Sequence, residues 1–110
     1  MPKYMSQFKY SAESIKALVA KPQDRRAPAE KVFGAAGGRI ESMYFTFGEY
    51  DGFVITEFPS DEDAASAILA VGSSGAFSDI KTTVLIPMDT SLAAMKKAHN
   101  IASRYQAPKG

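Results

Sequence analysis

The stretch Phe45-Thr46-Phe47-Gly48-Glu49-Tyr50-Asp51-Gly52-Phe53-Val54-Ile55 limits the fold more than any other part of the chain. Apolar residues stand on both sides of a glycine-bracketed turn, and two acids and a phenol occupy the turn itself. That pattern predicts a β-hairpin with a polar tip. The first strand runs from Ile40 to Phe47, with Met43, Phe45 and Phe47 facing one way and Ile40, Tyr44 and Thr46 the other. The second runs from Phe53 to Phe58, with Val54 and Phe58 facing opposite to Phe53 and Ile55. Both faces of the hairpin are apolar. A sheet covered by helices on one side only would carry polar residues on the other. The surplus apolar face therefore asks for a cover, and a second copy of the chain is the simplest supplier.

The elements around the hairpin follow from periodicity and punctuation. Tyr4, Ser6, Phe8 and Tyr10 alternate with Met5, Gln7 and Lys9, as a strand requires. Ser11 is placed to cap a helix whose apolar stripe is Ile15, Leu18 and Val19, and Lys21-Pro22 stops that helix. A second helical piece starts at about Pro28, buries Val32, Phe33 and Ala36, and ends at Gly37-Gly38. After the hairpin, Ser60 caps a helix opened by Asp61, Glu62 and Asp63, acids that suit the positive end of the helix dipole. Its predicted stripe is Ala64, Ala65, Ile68, Leu69 and Val71. A strand over Ile80 to Ile86 follows, then a helix from near Asp89 or Thr90 that aligns Leu92, Met95, His99 and Ala102. The order βα(α)ββαβ plus a C-terminal helix predicts a ferredoxin-like α+β fold with its helices on one sheet face.

A chain of 110 residues makes one domain, here residues 1–110, with flexible ends expected at 1–3 and 106–110. A net charge of +1 offers no electrostatic footprint for nucleic acid or an anionic membrane. Cysteine is absent, which removes disulfides, thiol catalysis and cysteine-ligated metals. No apolar run of about 18 residues is available to span a bilayer, and the first residues lack the apolar core of a signal peptide. A cytoplasmic protein is expected.

Gly48, Tyr50 and Asp51 stand in a context that resembles the GYD-domain family, named for those residue types. The resemblance extends through Phe53-Val54-Ile55-Thr56-Glu57, Pro59-Ser60-Asp61-Glu62-Asp63-Ala64-Ala65 and Gly72-Ser73-Ser74-Gly75, and covers the chain from Tyr4 to about Ile86. Two features depart from the family pattern: Gly52 after the aspartate, and an extension from Met88 onward. The resemblance implies a small ferredoxin-like protein akin to dimeric α/β barrels. It implies no reaction.

Two readings of the polar turn remain. Turn chemistry alone accounts for the aspartate and the glycines. If the turn borders a cavity, the Tyr50 phenol and Asp51 carboxylate could orient a ligand or move a proton. His99, the one histidine, could act as a base, but no ligand spacing accompanies it and no metal site is expected. Arg25-Arg26 reads as a solvated charge step. Folds of this plan often leave an apolar cavity between sheet and helices, and Tyr10, Tyr44 and Thr46 are the candidate lining for a small apolar or aromatic ligand. The sequence therefore suggests a homo-oligomeric small-molecule-binding protein, or a cofactor-independent enzyme. The alternative is an oligomeric structural or regulatory module without activity.

Overall fold

Lys3–Tyr10 forms strand β1, which carries the architecture because it pairs antiparallel on both sides. The computed structural model describes residues 1–109. In chain order the remaining elements are α1 (Ala12–Ala20), α2 (Arg26–Ala35), β2 (Arg39–Phe45), β3 (Gly52–Glu57), α3 (Asp61–Gly72), β4 (Phe77–Leu85) and α4 (Met88–Ile101), with a short 3-10 turn at Ala102–Arg104. The sheet order is β2-β3-β1-β4. This is the α+β architecture that the element order predicts, with the two βαβ-like halves interleaved about the central pair β1 and β3. No described helix is long and apolar enough to cross a membrane.

Residues two apart on β1 face the same way. Tyr4, Ser6 and Phe8 are buried beneath the helices, as the alternation requires. The core gathers Tyr4 and Val54 from the sheet, Phe58 just past the end of β3, Phe33 from α2, and Ala64 and Ala67 from α3. Phe58 sits edge-on to both Tyr4 and Phe33, at centroid distances of 6.0 and 5.8 Å. The Tyr4 hydroxyl donates to the Asp61 carboxylate at the start of α3. That bond, together with burial, pushes the Tyr4 phenol up to about 12, so it stays a donor at neutral pH. Ser60 caps α3 by accepting from the Asp63 amide. Ser11 does the same for α1 through the Ser14 amide.

Several predicted faces are shifted, each for a traceable reason. The α3 stripe is Ala64, Ala67, Ile68 and Val71, a stricter helical repeat, and Ala65 and Leu69 point outward. On α1 the cavity-facing residues are Ser14, Ala17 and Leu18, while Ile15 and Val19 are exposed. β2 stops at Phe45, and its pairing with β3 slips between Ile40 and Ser42. An extra residue there resets the alternation, so Ile40 and Met43 both pack toward the core. β4 starts at Phe77 and its register with β1 slips between Lys9 and Tyr10, which brings Phe77 and Ile80 to the same side. α2 begins at Arg26, leaving Pro28 within its first turn. Gly37, at φ +79°, ends it in the left-handed region.

The sheet's other face carries Met5, Ile55, Phe53 and Tyr44, with Tyr44 stacked on Phe53 at 5.4 Å. Lys3, Glu41, Glu57 and Arg39 form ion pairs at one end of it. The Arg39 guanidinium on Glu57 holds that carboxyl below its ordinary range. Helix α4 buries none of its residues. It stretches the molecule to 59 × 37 × 22 Å with a radius of gyration of 18.0 Å, where a compact chain of this length has about 13 Å. At the N-terminus the Pro2 carbonyl accepts from the Phe58 amide. Residues 105–109 have no regular structure, and the last residue of the tail expected to fray lies outside the described residues.

Gly52 opens β3, flanked by Phe8 of β1 and Tyr44 of β2, where a side chain has no room. A Cβ there would meet the Phe8 ring at 2.5 Å and the Tyr44 carbonyl at 2.7 Å, whereas one at Gly48 meets nothing within 4 Å. Gly52→Ala should cost about 1–3 kcal/mol in urea unfolding through overpacking, and Gly48→Ala well under 1 kcal/mol. Equal costs for the two would contradict the packing argument.

Candidate functional site

The hairpin tip spends its polar groups on its own fold. The Phe8 carbonyl accepts from the Asp51 amide at 2.8 Å, and the Asp51 carboxylate accepts from the Tyr10 amide at 2.8 Å. Phe8 and Tyr10 direct their backbone groups to the same side of β1. At Tyr10 strand β3 has already ended, so the Asp51 carboxylate replaces the missing strand carbonyl. Across the loop the Thr46 amide donates to the Asp51 carbonyl and its hydroxyl to the Tyr50 carbonyl, at 2.8 and 2.6 Å. The Tyr50 hydroxyl reaches Asp79 of β4 at 3.3 Å. Partial burial, then the Asp79 charge, raise its pKa. Tyr50 and Asp51 thus serve different hydrogen-bond partners.

On the helix side of the sheet a cavity of about 470 Å³ opens beneath α1. It exists because the α1 residues facing the sheet are small or single: Ser14, Ala17 and Leu18 cannot fill the space over Ser6, Phe8 and Tyr10. Val32 and Phe33 of α2 and Ile68 and Val71 of α3 close the sides. The two strand irregularities bring in Met43 and Phe77. Phe77 stacks on Tyr10 at 5.1 Å, and Phe8 meets both rings edge-on. A second recess of about 340 Å³ shares Phe8, Tyr10, Leu18, Gln23, Arg25 and Met43 with the first, so the two adjoin at the loop between α1 and α2. No aspartate, glutamate or histidine lines the larger cavity.

Polarity within it is confined. The Ser6 hydroxyl is paired with Thr82 at 2.8 Å, Ser14 accepts from Ser11, and Ser74 donates to the Val71 carbonyl. What remains is the Tyr10 phenol and the Gln23–Arg25 pair, in which Arg25 Nη1 donates to Gln23 Oε1 at 2.8 Å. Burial raises the Tyr10 pKa; the Arg25 charge lowers it and the Asp51 charge raises it, both by less.

Of the six candidate residues, only Tyr10 lines the larger cavity, and Tyr44 borders the adjoining recess. Thr46, Tyr50 and Asp51 sit together at the hairpin tip, outside the larger cavity. His99 lies on exposed α4. Sequence reasoning missed Gln23, Arg25 and Phe77. The available signal was the short loop between two helices that cross one strand, which must deliver its polar side chains to the rim of whatever space the helices leave. Among the described residues no three potential metal ligands gather.

The family model for the GYD domain matches residues 4–95. No curated protein matches the chain in sequence. Among solved structures it is similar in fold to the protein FFRP-DM1, at TM-score 0.51 and 19% identity, over 78% of this chain and 100% of that one. A protein from Thermus thermophilus, TTHA0845, matches at TM-score 0.53 and 10% identity, over 79% and 95%. Atu4242 from Agrobacterium tumefaciens matches at 0.50 and 13%, over 79% and 93%.

If Asp51 acts as a strand substitute, Asp51→Ala should destabilise the chain by about 1–3 kcal/mol, because the Tyr10 amide loses its acceptor. Asp51→Asn keeps an acceptor and should cost less. Tyr50→Phe, which deletes only a long and exposed hydrogen bond, should stay within about 0.5 kcal/mol. Chemical denaturation reads all three, and an unchanged midpoint for Asp51→Ala would remove the structural role.

Proposed function

The chain belongs to the GYD-domain family, and from that premise we propose that it is a self-associating protein that binds a small apolar molecule between its sheet and its helices. The observation that carries this reading is the cavity of about 470 Å³ beneath α1. Its size falls within the roughly 300–1,000 Å³ of small-molecule sites, and its mostly apolar wall with a few polar groups at one end has their usual character. A chain selected for stability alone would fill that space with larger residues at Ser14 and Ala17. Binding is preferred to proton-transfer catalysis because no carboxylate or imidazole faces the space. The one phenol there, Tyr10, has a raised pKa and therefore donates at neutral pH.

A neutral fluorescent probe, N-phenyl-1-naphthylamine, should show saturable enhancement with one site per chain. Ala17→Phe should abolish it without lowering thermal stability, since it fills space that is empty of protein. A wild-type chain with no saturable signal, or a variant that binds as before, would remove the proposal.

Self-association is supported by surface area. A monomer of 11.9 kDa ordinarily exposes about 6,000 Å². This chain exposes 8140 Å², an excess of roughly 2,000 Å², comparable with one partner's share of an obligate interface. The uncovered sheet face and the exposed Met88, Leu92 and Met95 of α4 supply the apolar part of that excess. Light scattering at micromolar concentration should return at least twice the 11.9 kDa chain mass. Ile55→Lys, at the centre of the open sheet face, should shift it toward the monomer. A wild-type monomer would contradict self-association and leave the cavity reading intact. The alternative, an assembly module without a ligand, draws support from the hairpin tip, where Thr46, Tyr50 and Asp51 are committed within the chain. A dimer with no probe binding would favour it.

A further inference from the structure

The cavity has donors to spare at its mouth and no carboxylate among its lining residues to receive them. Arg25 carries five N–H donors. One goes to Gln23, and among the described residues no carboxylate pairs with the rest; the ion pairs found involve Lys3 and Arg39. The Tyr10 hydroxyl is likewise without a hydrogen-bond partner among the described residues. Two acids stand near: Asp24, which lines the adjoining recess with Arg25, and Asp51, whose charge acts on Tyr10. Asp24 accepts from the Arg26 amide at 2.9 Å, and Asp51 accepts from the Tyr10 amide. Gln23 turns its amide nitrogen toward the Lys21 carbonyl and its oxygen toward Arg25, so it orients the guanidinium. Behind these groups lies an apolar volume walled by Leu18, Val32, Phe33 and Phe77. A guanidinium without a carboxylate partner and a phenol without a hydrogen-bond partner, on the rim of such a volume, are complementary to a molecule with one anionic end and an apolar body.

Resting on the cavity being a ligand site, we propose that its ligand is a compact apolar monocarboxylate, with its chain or ring under α1 and its carboxylate between Arg25 and Tyr10. The guanidinium fork matches a carboxylate in two parallel hydrogen bonds. The phenol supplies a third donor. A dianion such as a phosphate monoester fits less well, because Arg25 is the one cation among the larger cavity's lining residues and would leave one charge uncompensated beside an apolar wall. A neutral apolar molecule leaves the donors at the mouth unused.

Octanoate and octan-1-ol have the same chain and differ in the anionic end. By isothermal titration calorimetry at pH 7.5, octanoate should bind the full chain at least 10-fold more tightly than octan-1-ol. Arg25→Gln should erase that preference while leaving octan-1-ol binding unchanged. Arg25→Lys, which keeps the charge and loses the fork, should fall between, and Tyr10→Phe should weaken octanoate selectively. Circular dichroism and the urea midpoint establish that each variant is folded; Arg25 is exposed in a loop, so both should match the wild type. Equal binding of the acid and the alcohol, or an octanoate affinity untouched by Arg25→Gln, would overturn the carboxylate assignment while the cavity reading stands. Failure of octanoate, octan-1-ol and the neutral probe alike would overturn both.

Discussion

Strand β1 is the element on which the rest of the structure depends, because it alone is paired on both edges by neighbours distant in sequence. From Lys3 to Phe8 each of its residues pairs with β3 on one side and β4 on the other, so its side-chain alternation is fixed by two ladders at once. A slip by one residue would turn Tyr4, Ser6 and Phe8 from the helix side to the open side and remove the core and the cavity floor together. The Tyr4 hydroxyl, tied to Asp61, locks α3 to that register. Gly52 admits the Phe8 ring, and Asp51 finishes the β1 ladder where β3 ends. The residues that give the hairpin tip its family appearance are thereby explained as parts that let β1 complete its pairing.

A distinction between spent and unspent polar groups separates the two places where chemistry could be sought. At the hairpin tip, Thr46, Tyr50 and Asp51 each make bonds within the chain, and little is left to offer a ligand. At the cavity mouth, Arg25 and Tyr10 hold donors that nothing in the fold uses. A rim of donors left uncommitted within the fold, Arg25 exposed to solvent and Tyr10 half-buried, over an apolar space is the more informative pattern. It also accounts for α1, which buries no residue of its own and is capped rather than packed into place.

On the outer side the same economy appears as exposed apolar surface. The open sheet face and α4 contribute nothing to the monomer's core, yet both carry apolar side chains. A helix with no packed face draws little stability from its own propensity at this length. The proposed self-association gives these surfaces a common explanation, and it leaves the cavity, on the opposite side of the sheet, available to a ligand.

Much of this was legible in the residues themselves. Alternation in Tyr4–Tyr10, serines at the helix starts, glycines at their ends and the apolar hairpin determined the element order, the α+β architecture and which β1 residues share a face, because period, capping and turn chemistry are local. The two β-bulges were not legible: an extra residue in β2 or β4 changes no composition, and it exchanges faces only through pairing with a distant strand. Those bulges brought Met43 and Phe77 to the cavity. The roles of Asp51 and Arg25 were equally a matter of tertiary structure. An aspartate in a turn and an arginine in a loop look alike until the fold shows that the first meets the Tyr10 amide and the second pairs with no acid among the described residues.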